Sequence, residues 1–214
     1  MTTAEPKPNR KEAIFTAAVH CFNENGYYKT SMDTIAERAG ITKRGLYYHF
    51  KSKDELFIQL FNYMNEKYLE TIPAVAARVS DPEERLRVFC KIATDFLAQN
   101  RDFLKFSQEF LSISVRKPEI CKVMTSHYRK QVQKVSKTIE DGIAGGTFSA
   151  TDTEKAARAI VLITMGAFNV YFSLNSDYDL VEQHIFDIGL IIKGLKKQHP
   201  DDADAGLTDP ISYT

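Results

Sequence analysis

Residues 33–50 contain two short helical patterns joined by one glycine, and this arrangement limits the possible folds more than any other part of the chain. In a helix-turn-helix unit the two helices cross closely, which requires a small residue at the contact and a glycine in the turn. Ala36 meets the first requirement and Gly40 the second, because glycine adopts the left-handed turn conformation at little cost. The apolar positions available for the interior are Ile35, Ala39, Ile41, Leu46 and Phe50.

The second of these helices carries polar and aromatic side chains opposite its apolar face. With about 100° per residue and Leu46 as the origin, Phe50 lies at about 40° around the helix. Arg44 and Tyr48 lie at about 160° and about 200°, and therefore point away from the core. An arginine on a short exposed helix reaches base edges in a major groove and pairs with guanine. We predict that Arg44 is the main base-reading residue, with Tyr48 beside it contacting a base or a phosphate.

Several other residues around this helix have the chemistry for phosphate contacts. Helix N-termini and basic or hydroxyl side chains position a protein on DNA without reading its sequence. Residues 1–53 hold nine Lys/Arg and five Asp/Glu although the whole chain has zero formal net charge, which favours a polyanion as partner of this part. A plainer interpretation of any single residue is a solvated charge or a ring that covers the fourth helix. Phosphate contacts are predicted for Thr42, Lys43, Tyr47, His49 and Lys53.

Helical periodicity continues along the chain, and no alternating strand pattern interrupts it. Thr30 to Asp33 resembles a capping box before the second helix, and Pro73 is predicted to kink or end the fourth. Gly26 is predicted to end the first helix. The predicted helices cover about residues 9–25, 31–39, 43–50, 52 onward, 82–99, 102–115, 118–143, 152–174 and 179–197.

These helices predict an all-α fold with a three-helix head, a larger helical body and an acidic tail. The predicted head covers residues 9–55 and the predicted body covers residues 56–199. The tail, residues 200–214, holds four aspartates and no basic residue, and we expect it to be disordered.

The head resembles the TetR family of transcriptional regulators over about residues 10–65. The resemblance rests on FNENGY at residues 22–27, TSMDTIAERAGIT at residues 30–42 and LYYHFKSKDEL at residues 46–56. It implies that Thr30 contacts a phosphate. Family members often place glycine two residues after the Ser/Thr at the start of the reading helix, whereas here Arg44 precedes Gly45. The positions that this resemblance matches to DNA contacts are Thr42, Lys43, Tyr47, His49 and Lys53. Gly45, which lies between them on the reading helix, is included among the predicted DNA-binding residues.

The family usually dimerises through its last two helices, and two apolar stripes in this sequence agree with that arrangement. Completion of a monomer core is the alternative interpretation of both stripes. A two-fold dimer binds paired half-sites, so the resemblance also implies a palindromic DNA operator and a homodimer. The predicted interface residues are Ile160, Ile163, Ala167, Val170, Leu174, Val181, Ile185, Ile188, Ile192 and Leu195.

The predicted body is rich in aromatic and flexible apolar residues, most of which belong to a core in any fold. Such a body can also enclose a mostly apolar cavity with a few polar groups that orient a ligand. We therefore expect a lipophilic or aromatic small-molecule effector that releases a repressor from its operator. The predicted effector residues are Phe89, Phe96, Phe106, Phe110, Met124, His127, Tyr128, Phe168, Asn169 and Phe172.

Two other classes of function remain open at this point. One is a helical enzyme or ligand-binding adaptor with an accessory helix-turn-helix head, and the other is a helical interaction adaptor that binds neither DNA nor a ligand. No nucleophile–base set, phosphate loop or zinc motif is present, so we predict no catalytic residues, cofactor or metal. His184 with Glu182 or Asp187 is a generic alternative for a metal. Three widely spaced cysteines are expected to be reduced. The run from Ile160 to Phe172 is shorter than a membrane span, which favours a cytoplasmic protein.

Overall fold

The computed structural model describes residues 10–76, 79–174 and 176–196, with the backbone alone described at 68–76. Within these ranges the chain forms helices and no strand, which confirms the all-α prediction. The helices are α1 (Arg10–Lys29), α2 (Met32–Arg38), α3 (Lys43–His49), α4 (Lys53–Ala76), α5 (Pro82–Gln99), α6 (Arg101–Ser114), α7 (Pro118–Ala144), α8 (Thr153–Ser173) and α9 (Leu180–Leu195).

The boundaries of the first three helices follow from local capping. Gly26 has φ 73° and breaks the regular backbone of α1, as its position in the sequence indicates. The hydroxyl of Ser31 caps α2 by accepting a hydrogen bond from the Thr34 N–H at 3.0 Å. The predicted capping box is therefore wrong by one residue, because Ser31 and not Thr30 supplies the cap. Thr42 caps α3 in the same way, by accepting a hydrogen bond from the Gly45 N–H.

The helix-turn-helix unit has the close crossing that its sequence requires. Ala36 is buried where α2 packs, and Gly40 has φ 65° in the turn. Leu46 and Phe50 are fully buried beneath α3. This packing fixes the orientation of α3 and leaves its opposite side to solvent.

The fourth helix continues beyond the proline that was predicted to end or kink it. Ser52 accepts a hydrogen bond from the Glu55 N–H, and the Glu55 carboxylate accepts one from the Lys51 N–H. The helix then runs to Ala76, so the predicted end at Pro73 is wrong. Helical backbone therefore continues for three residues beyond Pro73, and the alternative prediction of a kink there stays a prediction.

The head and the body share one apolar core. Phe57 and Phe61 of α4 pack against Phe106 and Phe110 of α6, and the Phe61 and Phe110 rings stack at 3.8 Å between centroids. The predicted boundary between residues 55 and 56 lies in α4, a helix that belongs to both parts. A second core joins α5, α7, α8 and α9. The predicted tail, residues 200–214, lies outside the described residues.

Candidate nucleic-acid interface and ligand cavity

The outer face of α3 presents Arg44 and Tyr48 to solvent. The Tyr48 side chain is 86% exposed, although a ring of this size is usually covered in a monomer. Arg44 is exposed, and within the described part of the chain its guanidinium makes no hydrogen bond or ion pair. Both predicted base-reading residues therefore project from the head as the helical geometry requires.

The residues flanking Arg44 are held in place by local contacts. Lys43 pairs with Asp33 of α2 at 2.9 Å, and this carboxylate raises the pKa of the Lys43 ammonium. The Thr42 hydroxyl accepts the Gly45 N–H at 3.1 Å, and a Cβ at Gly45 would lie only 3.2 Å from that hydroxyl. Gly45 thus leaves room for the cap of α3. Tyr47 is exposed and His49 is half-buried at the edge of the same face.

The placement of Thr30 contradicts its predicted phosphate contact. Its side chain is 2% exposed, and its hydroxyl donates to the carbonyls of Cys21 and Gly26 at 3.0 and 2.8 Å. A side chain enclosed in this way cannot reach a phosphate on the surface. Thr30 instead joins the two ends of the break in α1.

Lys53 also differs from its prediction as a phosphate ligand. Its ammonium donates to the carbonyls of Tyr27 at 2.7 Å, Thr30 at 2.9 Å and Tyr28 at 3.4 Å. Burial, together with the nearby charge of Lys117, lowers the pKa of this ammonium. An ammonium has three donors. Since each has an acceptor within the chain, Lys53 joins α4 to residues 27–30, the turn that follows the break in α1 and leads into α2.

Helix α6 of the body contacts this same turn through a carboxylate. Glu109 accepts the Tyr27 N–H at 2.6 Å, and burial raises the pKa of the Glu109 carboxyl. Lys117, between α6 and α7, pairs with Asp54 at the start of α4 at 2.6 Å. The contact between Glu109 and the head was not predicted from the sequence. The sequence feature that could have indicated it is an acidic residue between two apolar positions, Phe106 and Phe110.

An apolar cavity of about 140 Å³ lies between five helices of the body. Its wall is formed by aromatic, aliphatic and sulfur-containing side chains with few polar groups, as in many small-molecule sites. The lining residues are Phe61 and Asn65 of α4, Phe89, Ala93 and Leu97 of α5, Phe103 and Ser107 of α6, Met124, His127, Tyr128 and Gln131 of α7, and Ile160, Val161, Thr164 and Met165 of α8.

Two polar groups in this wall are notable for their chemistry. The hydroxyl oxygen of Ser107 is buried and has no hydrogen-bond partner among the described residues, although buried hydroxyls are normally paired. His127 lies edge-on against Phe61, and burial lowers its pKa to about 4, with Lys134 and Lys130 adding to the effect. The wall therefore offers a free hydroxyl and a neutral imidazole at neutral pH.

Four predicted effector residues line this cavity, and six do not. Phe106 and Phe110 are fully buried in the core shared by head and body. Phe168 packs on Leu104 and Leu180, while the Asn169 amide donates to the Met165 carbonyl. Aromatic content alone did not separate core rings from lining rings. Those in the lining are Phe89, Met124, His127 and Tyr128, and those outside it are Phe96, Phe106, Phe110, Phe168, Asn169 and Phe172.

The last two helices carry an exposed apolar face, but its residues differ from the prediction. Four predicted interface residues are buried within the monomer, and Ile160 lines the cavity. Ala167 and Val181 are half-buried. The buried residues are Ile160, Ile188, Ile192 and Leu195, and the exposed predicted ones are Ile163, Val170, Leu174 and Ile185. Leu162, Phe186 and Leu190 are exposed apolar residues of the same helices that the prediction did not include.

By length and composition alone, the segment Thr153–Leu174 of α8 is long and apolar enough to cross a membrane. It is longer than the apolar run from Ile160 to Phe172 that the sequence pattern indicated. In this fold α8 packs against α7 and α9, and its remaining exposed apolar residues belong to the face just described. We name the exposed residues Leu162, Ile163, Val170, Leu174, Ile185, Phe186 and Leu190 the α8/α9 face.

Similar proteins are found by sequence and by structure. The transcriptional activator FasR of Mycolicibacterium smegmatis is 32% identical over 43% of this chain and 42% of its own length. The chain thus matches less than half the length of that relative. The fatty acid metabolism regulator protein of Bacillus subtilis is 22% identical over 85% of this chain and 93% of its own length.

Solved structures share the fold over most of the chain. A TetR transcription regulator from Haloarcula marismortui superposes with a TM-score of 0.80 at 22% identity, over 88% of this chain and 98% of the other. FadR from Bacillus subtilis, solved in complex with stearoyl-CoA, superposes with a TM-score of 0.77 at 21% identity, over 86% and 98%.

Two family descriptions match the sequence directly. Residues 14–60 match "Bacterial regulatory proteins, tetR family", which covers the helix-turn-helix unit. Residues 82–188, half of the chain, match "Tetracyclin repressor-like, C-terminal domain", which covers the helices around the cavity. With α1 to α4 arranged as a DNA-binding head and both parts matched, the chain belongs to the TetR family of bacterial transcriptional regulators.

Proposed function

We propose that this chain binds a palindromic operator as a homodimer and releases it when a long-chain fatty acyl compound fills the cavity. The observation that carries this proposal is that α4 and α6 each extend from the cavity wall to the DNA-binding head. The relatives are regulators, so the alternative of a helical enzyme is set aside.

Helix α6 supplies the shorter of these two connections. Phe103 and Ser107 line the cavity, and Glu109 in the next half turn accepts the Tyr27 N–H of the head. A ligand that displaces the cavity side of α6 therefore displaces the acceptor of Tyr27. Packed helices shift as units because the protein interior has little free volume.

Helix α4 supplies the second connection. Phe61 and Asn65 line the cavity, and Lys53 at the start of the helix holds the turn that follows the break in α1. Effector binding favours the arrangement of the heads in which the cavity is larger. A ligand changes DNA affinity only if it binds one arrangement of the heads more tightly than the other. A coupling free energy of about 1–3 kcal/mol changes operator affinity about 5- to 150-fold.

The cavity wall supports the assignment of an acyl chain. Methylene groups match the aromatic and aliphatic lining, and the unpaired Ser107 hydroxyl offers one hydrogen bond to a carbonyl oxygen. FadR of Bacillus subtilis, which shares this fold, was solved in complex with stearoyl-CoA. A second relative is named a fatty acid metabolism regulator.

The α8/α9 face supports the assignment of a homodimer. Leu174 is 72% exposed and Phe186 is 60% exposed, and contiguous apolar surface of this kind usually marks an interface. Gly166, with nothing within 4 Å of its Cβ position, permits close approach of a second helix. A two-fold axis through this face gives two equivalent heads, as a palindromic operator requires.

The test begins with selection of binding sites from random duplexes by the purified protein. Affinity for the selected operator is then measured with and without stearoyl-CoA or stearate. We expect at least one of these probes to weaken operator binding within the range given above. Ala93→Leu, which adds volume inside the cavity, should abolish the response, whereas Ala144→Leu at an exposed site should retain it.

Two results would overturn the proposal. One is the absence of any salt-sensitive DNA binding, and the other is a full effector response in Ala93→Leu. Thermal unfolding of both variants establishes that each is folded before binding is compared.

A further inference from the structure

Helix α7 carries an uneven distribution of charge beside the cavity. Between Ile120 and Ile139 the sequence holds five Lys or Arg residues and no Asp or Glu. Lys137 pairs with Asp141 at 3.0 Å, but the other four have no ion pair among the described residues. Solvated positive charges are common on helices, but an acid-free run of this length is not required by the fold. The four unpaired cations are Lys122, Arg129, Lys130 and Lys134.

Two adjoining grooves are lined by three of these cations, and Lys134 lines neither groove. Arg129 lines a cleft of about 650 Å³ between α7 and α8, opposite Arg158, whose guanidinium pairs with Glu154 in the same lining. Glu140 lies at the other end, so Arg129 is the cation of this cleft that has no ion pair among the described residues. It also lines a groove on the outer side of α7 with Lys122 and Lys130. The two grooves therefore meet at Arg129, and we name them together the α7 basic cleft.

The α7 basic cleft adjoins the apolar cavity at one side chain. Tyr128 lines both the cavity and the cleft between α7 and α8. The positive charges also reach the cavity wall, because Lys130 and Lys134 contribute to the lowered pKa of His127. One molecule can therefore place an apolar chain in the cavity and an anionic group beside Arg129.

The extent of the charge distinguishes between kinds of anionic group. A carboxylate is satisfied by one or two cations, whereas the three cations that line the grooves, Lys122 to Lys130, span about 12 Å along a helix at 1.5 Å per residue. The cleft is also several times larger than the cavity itself. These dimensions fit an extended phosphate-bearing group, for which guanidinium and ammonium groups are the usual ligands.

We propose that the α7 basic cleft binds the phosphate groups of an acyl thioester of coenzyme A whose chain enters the cavity past Tyr128. This inference rests on the proposed acyl effector and adds the carrier to which the chain is attached. Arg129 is the central ligand, with Lys122 and Lys130 extending the contact along α7. The free acid lacks the group that these residues recognise.

The experiment compares three probes by calorimetry on the full chain: stearoyl-CoA, stearate, and coenzyme A without a chain. Arg129→Gln and Lys130→Gln should each weaken stearoyl-CoA binding about tenfold, because each removes a charge-assisted contact to phosphate. Stearate affinity should stay within about twofold of the wild type, since its single carboxylate does not reach the length of the cleft. Lys137→Gln is the matched control, because this lysine lies on the same helix and already has a partner.

Each other outcome overturns a stated part of the inference. If stearate and stearoyl-CoA bind with equal affinity and neither variant changes that affinity, the acyl chain binds in the cavity and the basic cleft does not contact the coenzyme A group. If the variants lose operator affinity in the absence of any probe, the cleft is a DNA surface. If no chain-bearing probe binds, the proposed function itself fails, and selection of operator DNA still tests its other half.

Discussion

The ammonium of Lys53 lies 4.3 Å from the centre of the Tyr27 ring and donates a 2.7 Å hydrogen bond to the carbonyl of the same residue. Lys117 approaches this ring as well, at 5.3 Å, and pairs with Asp54. The break in α1 at Gly26 is thus held by α4 and by the start of α7. Lys53, which the family resemblance matches to a DNA contact, therefore makes structural contacts within the head.

Removal of the Lys53 ammonium tests this structural role. Lys53→Met should lower the free energy of unfolding by about 2 kcal/mol, because hydrogen bonds from a charged donor to partly buried carbonyls are lost. It should weaken binding to all duplexes alike, since the turn below α3 is loosened. Unfolding in urea and DNA binding at several salt concentrations measure both effects.

Lys51→Met is the matched control, because Lys51 is exposed two residues earlier. The salt dependence distinguishes the structural role of Lys53 from a phosphate contact. A phosphate ligand would reduce the slope of log affinity against log salt by about one per half-site. If Lys53→Met left the stability unchanged and reduced the slope in this way, Lys53 would be a phosphate contact in the DNA interface.

Arg44 is expected to determine preference at one base pair of each half-site. Arg44→Ala should cost about 1–3 kcal/mol per half-site on the preferred operator and less on variants of that base pair, because a bidentate contact to guanine is lost. Lys43→Ala should instead weaken all sequences alike. Binding to single-base variants of the selected operator measures the difference. A uniform loss in Arg44→Ala would make this residue a phosphate contact and pass base reading to Tyr48.

The parts of the fold that depend on local sequence were predictable. Gly40 and the caps Thr42 and Ser52 act within a few residues, so their roles follow from the order of residues alone. The hydrogen bonds of Thr30 and Lys53 were not predictable, because their partners lie near the break in α1, up to 26 residues away. The periodicity of apolar residues along the sequence does not indicate contacts between residues so far apart.

The same limit explains the errors in the body. Helices α8 and α9 are apolar on more than one side, so periodicity identifies stripes without showing which stripe the monomer itself covers. Ile160 and Ile188 turned out to face the monomer core, and Leu162 and Phe186 the exposed side. Likewise, an aromatic residue in α6 gives no sign of whether its ring fills a core or borders a cavity.

A charge on the α8/α9 face should prevent dimerisation. Phe186→Arg places a cation in the middle of an apolar interface, where burying an unpaired charge costs several kcal/mol. Light scattering at micromolar concentration should report a dimer for the wild type and a monomer for the variant, with operator affinity greatly reduced. Val115→Arg is the control, because Val115 is 84% exposed at the end of α6. A dimer that tolerates Phe186→Arg would place the interface elsewhere.

The three cysteines should react at different rates with a thiol reagent. Cys21 and Cys90 are buried and therefore shielded from a reagent in solution, and burial also raises the pKa of the Cys90 thiol to about 12. Cys121 is exposed and lines the α7 basic cleft. One thiol should react before denaturation and three after it, and stearoyl-CoA should slow the first reaction. Rapid labelling of Cys90 in the folded chain would contradict its placement in the core.

Finally, His127 should make the stability of the body depend on pH. Its pKa falls from 6.5 to about 4 on folding because the imidazole is buried beside Lys130 and Lys134. The unfolded chain therefore binds a proton at a higher pH than the folded chain. The stability that a neutral His127 permits is fully present above pH 6.5 and is lost as pH falls towards 4, by up to about 3 kcal/mol.

Urea unfolding of the wild type and of His127→Gln at pH 7 and at pH 4.5 measures this contribution. The wild type should lose more stability than the variant over that interval, because glutamine takes up no proton and the other titrating groups are common to both proteins. His20→Gln, at an exposed site, should follow the wild type. Parallel losses in the wild type and in His127→Gln would mean that His127 is hydrated in the folded protein, and the cavity wall would then be wetter than its lining indicates.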